Sequence, residues 1–532
     1  MCGLFASTTN VTNNSKFIAY FNQILHRGPD STLIEQRPGG IVLAFHRLAI
    51  MDTSHNGDQP LKNETNKTWI LCNGEIYNYK DLKKRYASHY HFQSQSDCEV
   101  LIPLYETMGI EKLAPLLDAE FALVIWDEQK GKMFAARDPI GIRPLFYGYS
   151  QIDKKIMFAS EAKVLIPLCK DVEAFPPGHY YDGEGRFIRF KNVTSTLVPN
   201  KDDLANILKN INQKLRTAVE KRLVSDVPVG FLLSGGLDSS LVCGIAAKML
   251  GRPLVTFSVG LNKNPIDLPY AKKVADFIKS DHHEVYFTEE DTLKVVREVI
   301  WHLETWDITT VRASIGMYLV CRYIRQKTKM KVVLTGEVSD EIFGYKYTDF
   351  APDGTEFQKE AVKRIEELYM YDVLRADRCI AAHALEARVP FADLDFVTYC
   401  MSIPGEKKLN THQMGKWLLR KAFEPDGIIP TEILWRDKAA FSDAVGHGMV
   451  DTLKSYAEEK YSDMEFSRAK EKYPHGTPFT KESFWYREIF EEFYPGRSQL
   501  IKDFWMPNRT WQNCNVQDPS ARALPNYGKS GQ

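Results

Sequence analysis

The stretch GFLLSGGLDSSLVCGIAAKML, residues 230–250, reads as a buried strand, a Gly-Gly turn and a helix that begins at about Asp238. In such a unit the N–H groups of the turn and of the first helical turn converge on one point, which predicts an anion site. The hydroxyl groups of Ser234, Ser239 and Ser240 add donors. Asp238 would repel a phosphate unless a divalent cation lay between them, which favours a magnesium–pyrophosphate complex. The alternative is an ordinary glycine-rich turn.

The phosphate chemistry that this motif predicts differs from phosphoryl transfer. The sequence lacks the GxxxxGK[ST] loop that holds ATP for transfer of its γ-phosphoryl group. The motif instead favours a site where the β- and γ-phosphates of ATP leave together while the α-phosphorus is attacked. We therefore expect ATP as a substrate, with Mg²⁺ beside it.

Strand and helix patterns alternate downstream of the motif, and this alternation predicts a doubly wound parallel sheet of the α/β class. The runs are PLVTFSVGL (253–261), HHEVYF (282–287), a long helix near 290–304 and KVVLTGE (331–337). An amphipathic helix over 204–223 precedes the motif, and a largely helical part follows from about 357 to 500. We expect these elements to form one domain over 204–505.

The part of the chain before this domain has a different pattern of predicted secondary structure. From residue 2 to about 190, short strand-like runs alternate with Gly, Pro and Asp turns, and helical stretches occur around 15–25 and 97–109. This pattern predicts a layered α+β domain over 2–190. The polar segment 191–203 reads as a linker, and residues 506–532 read as a loose polar tail.

Bulk composition limits the possible functions. At 532 residues the chain is too long for one hydrophobic core, so two or three domains are expected. Its 68 basic and 69 acidic residues give a net charge of -1, which creates no global field for nucleic acid or anionic lipid. The nine cysteines are scattered without CxxC pairs, as is typical of reduced thiols. The sequence offers no leader and no run of about 18 apolar residues, so we expect a cytoplasmic protein without membrane or nucleic-acid partners.

The motif SGGLDSS resembles the pyrophosphate loop of the adenylating ATP-pyrophosphatase enzymes. Further motifs follow in the order seen in the glutamine-hydrolysing asparagine synthetases: ITTVRAS (308–314), LTGEVSDEIFG (334–344), MYDVLRADR (370–378), LEARVPF (385–391) and WRDKAAFSDAVG (435–446). The resemblance covers roughly residues 2–500. It implies synthesis of asparagine from aspartate through a β-aspartyl-AMP intermediate, with release of AMP and pyrophosphate.

The resemblance also implies roles for residues of this second half. Glu337 is similar to the carboxylate that the family needs for the intermediate and for the ammonia step, and Lys438 matches the lysine that meets pyrophosphate. Asp238 and Asp340 resemble the magnesium carboxylates. The remaining residues are expected to bind ATP (Leu232, Ser234, Gly235, Gly236, Asp238, Ser239, Val259, Thr335 and Gly336) and aspartate or AMP (Thr309 and Arg312).

The first half resembles the class II glutamine amidotransferases in the motifs HRGPD (26–30), FHRLAIMD (45–52), NGEIYN (73–78) and SQSDCE (94–99). That resemblance implies an N-terminal nucleophile fold, an αββα sandwich, in which a terminal cysteine cleaves glutamine. If Met1 is removed, Cys2 carries a thiol of pKa ~8.5 and an α-amine of pKa ~7.7–8.0, and the amine can accept the thiol proton. We therefore expect the mature protein to begin at Cys2.

The other glutaminase residues follow from the chemistry of the substrate. The Asn73 side chain and the Gly74 N–H are expected to form the oxyanion hole, although Asn-Gly alone also predicts a hairpin turn. Glutamine carries a carboxylate and an ammonium group, which Arg47 and Asp97 would match; alternatively, Asp97 caps the following helix. The full glutamine-binding set is Arg47, Leu48, Ala49, Ile50, Met51, Asn73, Gly74, Glu75 and Asp97.

The pairing of a glutaminase with an adenylating domain predicts a shielded path for ammonia, because ammonia released into water would be protonated. The family implies an internal tunnel and a homodimer. Two alternatives stay open. The chain could amidate another carboxylate by the same chemistry, or it could be a degenerate relative that acts as a glutaminase or a regulatory binding protein.

The second half of the sequence departs from the family pattern at three places, and Gln95 and Ala119 are smaller departures in the first half. Val338 stands where the loop usually has glycine, Tyr345 replaces the second glycine of a usual FGG, and Ala439-Ala440 replace a polar pair. Val338 raises the sharpest question. If the usual glycine has a positive φ, a β-branched residue is an outlier there, and we expect the loop to move.

Overall fold

The structure is a computed structural model that describes residues 1–12, 15–86, 90–194, 198–438 and 446–527. The chain forms two compact units. The first comprises Met1–Val193, Val224–Pro228 and Ala381–Glu386, and the second comprises Thr194–Leu223, Val229–Ile380 and Ala387–Gln532. Two short segments that follow residue 203 in the sequence therefore belong to the first unit.

Two six-stranded antiparallel sheets build the first unit, in the orders β10-β8-β9-β1-β3-β2 and β12-β11-β7-β6-β5-β4. The strands are β1 Gly3–Ser7, β2 Ser31–Arg37, β3 Ile41–Arg47, β4 Leu61–Lys62, β5 Thr68–Ile76, β6 Ala119–Asp127, β7 Lys132–Arg137, β8 Phe146–Ser150, β9 Ile156–Ala159, β10 Cys169–Ala174, β11 His179–Tyr181 and β12 Phe187–Arg189. The helices are α1 Phe17–Asn22, α2 Tyr79–Tyr86, α3 Leu101–Leu116 and α4 Ala162–Leu165.

Strand β6 shows why these layers stack as they do. All nine of its residues are buried, and their side chains alternate between the two faces of the sheet. Ala122 and Val124 join a core with Leu4 and Leu43 of the other sheet, whereas Leu123 joins a core that includes residues of α3. On the outer face of the first sheet, the ring of Phe17 in α1 lies 5.0 Å from that of Phe5. This confirms the predicted αββα sandwich.

A five-stranded sheet in the order β15-β14-β13-β16-β17 organises the second unit, and β15, β14, β13 and β16 are parallel neighbours. The strands are β13 Val229–Leu232, β14 Val255–Leu261, β15 Asp281–Phe287, β16 Val332–Leu334 and β17 Glu386–Arg388. The chain leaves β13 in one direction for β14 and returns on the other side of β13 as β16. Ligands bind at such a reversal of strand order in doubly wound sheets.

Helices surround this sheet, as the sequence predicted. They are α5 Leu204–Arg222, α6 Leu237–Leu250, α7 Leu268–Ile278, α8 Glu289–Leu303, α9 Ile308–Lys327, α10 Ser339–Phe343, α11 Gly354–Glu367, α12 Asp372–Ala381, α13 Leu394–Ser402, α14 Gly405–Lys408, α15 Trp417–Phe423, α16 Thr431–Leu434, α17 His447–Lys460, α18 Asp463–Ser467, α19 Ala469–Lys472 and α20 Lys481–Phe493. Within the described ranges, no helix has the length and apolar character needed to cross a membrane.

Residues 506–527 do not form the loose tail that their polar composition predicted. Trp511, Cys514 and Leu524 are buried in an apolar cluster with Tyr347 of the second unit. A few well-spaced apolar residues thus suffice to fix a polar segment onto an existing surface. The prediction for residues 528–532 lies outside the described residues.

Candidate active sites

Cys2 is held at the start of β1 by contacts from three segments of the first unit. Its backbone N–H donates to Asn73 Oδ1 at 2.8 Å, and its carbonyl accepts from Arg27 Nε at 2.8 Å. The Leu48 N–H points at Cys2 Sγ, 3.4 Å away. Burial raises the pKa of the Cys2 thiol above its ordinary value. The thiol therefore needs a nearby base to become a nucleophile at neutral pH.

Asn73 and Gly74 lie in the interior of β5, so the hairpin alternative is wrong. Asn73 Nδ2 is buried and has no hydrogen-bond partner among the described residues, which leaves an amide donor beside Cys2. A Cβ on Gly74 would come 2.3 Å from the carbonyl oxygen of Glu120 on the paired strand. Glycine is required at this position by the close approach of two strands.

Met1 is buried in the first unit. Its α-amine donates to the carbonyl oxygen of Leu385 at 3.2 Å, and its sulfur lies 3.0 Å from a guanidinium nitrogen of Arg143. Burial lowers the pKa of this amine to about 5. While Met1 is present, the nitrogen of Cys2 is an amide and cannot serve as a base.

Arg47 uses its guanidinium within its own loop. The two terminal nitrogens donate to the carbonyl oxygens of Ser54 (2.7 Å), Met51 (3.2 Å) and Asp52, and one of them pairs with Asp58 at 2.7 Å. The Arg47 guanidinium is thus engaged within the chain, and its assignment to the glutamine carboxylate stays a prediction. Local carbonyl groups capture the donors because the loop after β3 folds back over the side chain. Residues Leu48, Ala49, Ile50 and Met51 of that loop are buried.

Asp97 is buried next to the end of β5, and one of its carboxylate oxygens accepts from the Ile76 N–H at 2.8 Å. The neighbouring Ser96 performs the helix-capping role, because its hydroxyl oxygen accepts from the Cys98 N–H at 3.3 Å. The capping alternative for Asp97 is therefore wrong. Glu75 is also buried in β5, so two carboxylates lie near the strand that carries Asn73.

In the second unit, a cavity of about 230 Å³ opens where β13 and β16 end. Its lining includes every residue predicted for ATP, aspartate and metal except Gly235, namely Leu232, Ser234, Gly236, Asp238, Ser239, Val259, Thr309, Arg312, Thr335, Gly336, Glu337, Asp340 and Lys438. Gly235 instead shapes the loop. It has φ +75°, and a Cβ there would come 2.3 Å from the backbone nitrogen of Ala271.

The helix α6 begins at Leu237, one residue earlier than predicted. The loops after β13 and β16 approach each other closely, since a Cβ on Gly336 would lie 2.7 Å from the backbone nitrogen of Ser239. The strand–glycine turn–helix unit is thus combined with a second loop from the far side of the switch point. Backbone N–H groups and hydroxyls from two loops can converge on one anion.

Two carboxylates and two ammonium groups alternate at the mouth of these loops. Lys416 Nζ lies 2.8 Å from Asp238 and 2.7 Å from Asp340. Lys438 Nζ lies 3.3 Å from Asp238 and 2.8 Å from Asp340. Burial opposes ionisation of Asp238, but the two ammonium groups outweigh it and hold its pKa well below the usual range. Asp238 therefore stays ionised, and both aspartates face the same two ammonium groups, which balance their charge.

Lys416 was missed by the sequence reasoning although it lies at the centre of this group. It is buried, and it also contacts the hydroxyl of Ser339 at 3.0 Å. Its position just before α15 has no fixed spacing to Asp238, which is 178 residues away. Only the tertiary fold brings the two together, so no local pattern could have found it.

Glu337 follows β16 and pairs with a second residue that sequence reasoning missed, Arg375 of α12, at 2.6 Å. Arg375 also contacts Asp372 at 3.2 Å. Burial raises the pKa of Glu337 above its ordinary value, even though the guanidinium of Arg375 opposes the shift. A carboxylate with a raised pKa is a better proton acceptor near neutral pH than an exposed one.

Arg312 and Thr309 lie in the first turns of α9. The Arg312 guanidinium is buried and bound by two protein carboxylates: Glu482, at 2.8 and 2.5 Å, and Asp518, at 2.7 Å. The Thr309 hydroxyl lies 3.5 Å from the carbonyl oxygen of Trp505. The chain thus supplies two carboxylates to Arg312 itself, and the assignment of Thr309 and Arg312 to aspartate or AMP stays a prediction.

Val338 has φ +80° and ψ -15° and directly precedes α10. The β-branched residue occupies the left-handed region that favours glycine, and the expected movement of the loop relative to the family pattern stays a prediction. Tyr345, the other described departure in the second half of the sequence, has φ -120° and ψ 175°, which any residue adopts. Ala439 and Ala440 lie outside the described residues.

We predict that Val338→Gly is more stable than Val338→Ala. Both changes remove buried methyl groups, but only glycine removes the left-handed backbone penalty, which leaves the glycine variant ahead by roughly 1 kcal/mol. At an ordinary position the order is reversed, because glycine costs roughly 0.5–1 kcal/mol relative to alanine. Urea denaturation midpoints of the two variants measure the difference, and an alanine variant as stable as the glycine variant would contradict the strain.

Comparison with known proteins matches a different family model to each of the two parts of the chain that carry the candidate sites. A family model described as a glutamine amidotransferase domain matches residues 1–182, and one described as asparagine synthase matches residues 210–356 and 348–523. Asparagine synthetase [glutamine-hydrolyzing] of Gallus gallus is 41% identical over 564 residues, and that of Homo sapiens is 39% identical over 564 residues; each alignment covers 99% of both chains. Among solved structures, a glutamine phosphoribosylpyrophosphate amidotransferase from B. subtilis covers 48% of this chain and 65% of its own, with a TM-score of 0.31 and 17% identity.

Proposed function

Because the chain belongs to the family of glutamine-hydrolysing asparagine synthetases, we propose that its two compact units divide one ATP-dependent synthesis of asparagine between them. The first unit hydrolyses glutamine, and the second activates aspartate with ATP and transfers ammonia to it. Aspartate, ATP, glutamine and water give asparagine, AMP, pyrophosphate and glutamate. The observation that carries the proposal is the presence of both chemistries in one chain: Cys2 beside an available Asn73 amide, and paired carboxylates at the switch point of a parallel sheet.

Glutamine hydrolysis begins once Met1 is removed, which turns the Cys2 nitrogen into an amine 2.8 Å from Asn73 Oδ1. The amine accepts the thiol proton, and the thiolate attacks the carboxamide carbon of glutamine. Asn73 Nδ2 and the Gly74 N–H stabilise the oxyanion, each by roughly 3 kcal/mol. The amine then returns the proton to the leaving ammonia, and water hydrolyses the thioester to glutamate.

Substrate glutamine is bound by the loop after β3 and by the carboxylates near β5. Leu48 supplies a backbone N–H beside Cys2, and Ala49, Ile50 and Met51 continue the same loop. Asp97 and Glu75 supply the negative charge for the α-ammonium group. The glutamine α-carboxylate reaches Arg47 at Nε, or by replacing one of the loop carbonyls that now accept from it.

Activation of aspartate occurs in the cavity of the second unit. The β-carboxylate of aspartate attacks the α-phosphorus of ATP, and Lys438 and Lys416 stabilise the charge that develops on the departing pyrophosphate. Ammonia then attacks the carbonyl carbon of β-aspartyl-AMP, Glu337 accepts a proton from the attacking nitrogen, and AMP leaves. Thr309 and Arg312 belong to the aspartate side of the cavity.

Mg²⁺ fits the residues that face this cavity. Asp238 and Asp340 approach the same two ammonium groups, so their oxygens face a common point. The described residues contain no group of three or more His, Cys, Asp or Glu side chains that could hold a metal alone. Two carboxylates together with phosphate oxygens are a usual donor set for Mg²⁺, and the bound ion would neutralise the β- and γ-phosphates.

Exchange of labelled pyrophosphate into ATP tests the proposed reaction. We expect exchange that depends on aspartate, with AMP and pyrophosphate as the products of full turnover. Exchange with another acid would support the alternative of a different carboxylate substrate, and a protein without exchange would be a glutaminase or a binding protein. Formation of ADP and phosphate would contradict adenylation.

The mature protein is predicted to lack Met1. Its retention would leave the buried Met1 amine, of pKa about 5, in place of an amine on Cys2. Intact-mass measurement of the active enzyme should therefore show a chain that is one methionine shorter than the gene product. Active enzyme that retains Met1 would contradict the role of the α-amine.

The assembly and the location of the enzyme are further parts of the proposal. We expect a cytoplasmic homodimer, as in the family, with glutamine, aspartate and ATP as its small-molecule partners. The nine cysteines are free thiols, in keeping with a reducing compartment. Light scattering of the purified protein measures the oligomeric state. The internal tunnel for ammonia stays a prediction.

A further inference from the structure

The C-terminal segment Trp505–Tyr527, called the strap below, is fixed to the second unit at both ends. At its start, the Trp505 N–H donates to Asp307 at 2.8 Å. Near its end, the Asn526 amide donates to the Lys346 carbonyl oxygen at 2.7 Å and to Asp349 at 2.9 Å. The buried residues Trp511, Cys514 and Leu524 anchor the middle. The strap therefore packs against the second unit at its start, its middle and its end.

The strap lines the same cavity as the substrate residues. Trp505, Pro519, Ser520 and Ala521 all contribute to the wall, together with Thr309, Arg312 and Ala313 of α9. The loops after β13 and β16, with Val259 of β14, carry the groups assigned to ATP. The strap and the start of α9 therefore form a continuous part of the wall that carries no group assigned to ATP, next to other unassigned residues such as Tyr345 and Arg364.

An ion-pair network clamps the strap against α9. Arg312 is bound by Glu482 of α20 through two hydrogen bonds, and its other terminal nitrogen donates to Asp518 of the strap at 2.7 Å. Lys454 of α17 pairs with the second oxygen of Asp518. Two cations and two anions balance in this network. Burial opposes ionisation of Asp518, but the Arg312 guanidinium outweighs it and holds the pKa of Asp518 well below its usual range.

The position of Arg312 gives the clamp a functional consequence. Its guanidinium is almost fully buried and lines the cavity one turn beyond Thr309. Without Asp518, the buried Arg312 guanidinium would lose one of its two carboxylate partners. Ser520 and Ala521 would lose the nearby Asp518–Arg312 ion pair, which holds this part of the strap at the cavity wall. We propose that the strap is the aspartate-side wall of the cavity and that Asp518, through Arg312, is a positioning residue for the acid substrate. This inference rests on the proposed synthetase function.

The test compares three variants in ammonia-dependent asparagine synthesis, which does not require the glutaminase site. Asp518→Asn keeps the shape of the side chain and removes its charge. Ala521→Phe adds bulk to the cavity wall and leaves the clamp intact. Asp451→Asn is the matched control, because Asp451 pairs with Arg522 of the strap at 3.0 Å and its side chain is 58% exposed, outside the cavity.

We expect Asp518→Asn to raise the KM for aspartate about tenfold or more while the KM for ATP changes less than about twofold. Ala521→Phe should raise the KM for aspartate in the same selective way, whether or not the charge variant folds well. Asp451→Asn should match the wild type in both constants. Glutamine hydrolysis should be unaffected in all three.

An unchanged KM for aspartate in folded Asp518→Asn and in Ala521→Phe would overturn the inference. An equal rise in the KM for aspartate and for ATP would also overturn it, since a general loss of structure moves both constants. A wild-type protein that forms no AMP with aspartate would instead contradict the proposed function. The two failures are therefore distinguishable in one set of assays.

Discussion

Replacement of Cys2 by alanine is expected to abolish glutamine-dependent asparagine synthesis and to leave ammonia-dependent synthesis at the wild-type rate. The thiol is the proposed nucleophile, and loss of a nucleophile that acts together with its base and oxyanion hole lowers turnover by a factor of roughly 10⁴ or more. The change is small, and Cys2 is partly buried, so β1 should keep its pairing with β3 and β9. Asparagine formation with glutamine and with ammonium chloride measures the two activities.

Cys169→Ala is the matched control for this experiment. Cys169 is a buried free thiol at the start of β10, in the same unit, and its sulfur contacts the sulfur of Met157 at 3.8 Å. Its removal should leave both activities in place. A Cys2→Ala variant that still uses glutamine would contradict the nucleophile assignment, and loss of ammonia use as well would contradict two separable sites.

The fold was predicted from the sequence where the pattern is local. The short strand-like runs separated by turns in the first half and the strand–turn–helix pattern around SGGLDSS are properties of neighbouring residues. They therefore indicate a layered unit and a strand–turn–helix unit before any tertiary contact is known. The local sequence does not distinguish a strand from a hairpin turn at Asn73-Gly74, and only the observed strand β5 decides between them. The close approach of the Glu120 carbonyl oxygen on β6 explains why residue 74 is a glycine. This contact joins residues that are far apart in the chain.

The residues that sequence reasoning missed share one physical property. Lys416 and Arg375 reach the cavity of the second unit from helices or loops far along the chain from their carboxylate partners, Asp238 and Glu337. No spacing rule connects such positions, because their distance is set by packing of whole elements. A charged residue within an otherwise ordinary helical stretch gives no local signal of its partner.

The two arginines predicted for substrate carboxylates show how contacts within the fold compete with a substrate. Arg47 and Arg312 were assigned to glutamine and to aspartate because a guanidinium suits a carboxylate. In the folded chain, loop carbonyls and Asp58 engage the terminal nitrogens of the first, and Glu482 and Asp518 bind the second. Burial of an arginine without partners is costly, so the fold itself competes with the substrate for these donors.

The Glu337→Gln variant is expected to lose asparagine synthesis with either nitrogen donor and to keep glutamine hydrolysis. Glutamine has the shape of glutamate, and its carbonyl oxygen can still accept from Arg375, which now pairs with Glu337 at 2.6 Å. Only the proton-accepting carboxylate is removed. Loss of a positioned proton acceptor lowers the rate by roughly 10²–10⁴-fold. Asparagine formation from ammonia and glutamate formation from glutamine measure the two outcomes.

The pH dependence separates a base from a structural partner of Arg375. Burial raises the pKa of Glu337. The wild-type ammonia-dependent rate, corrected for the fraction of free ammonia, should therefore fall as the pH drops through that raised pKa. The residual rate of Glu337→Gln should not show this fall. Asp372→Asn also disturbs Arg375, at 3.2 Å, and should cost less than about tenfold. If Asp372→Asn and Glu337→Gln lose equal activity, the carboxylates only hold Arg375 in place, and the proton acceptor must be sought elsewhere in the cavity.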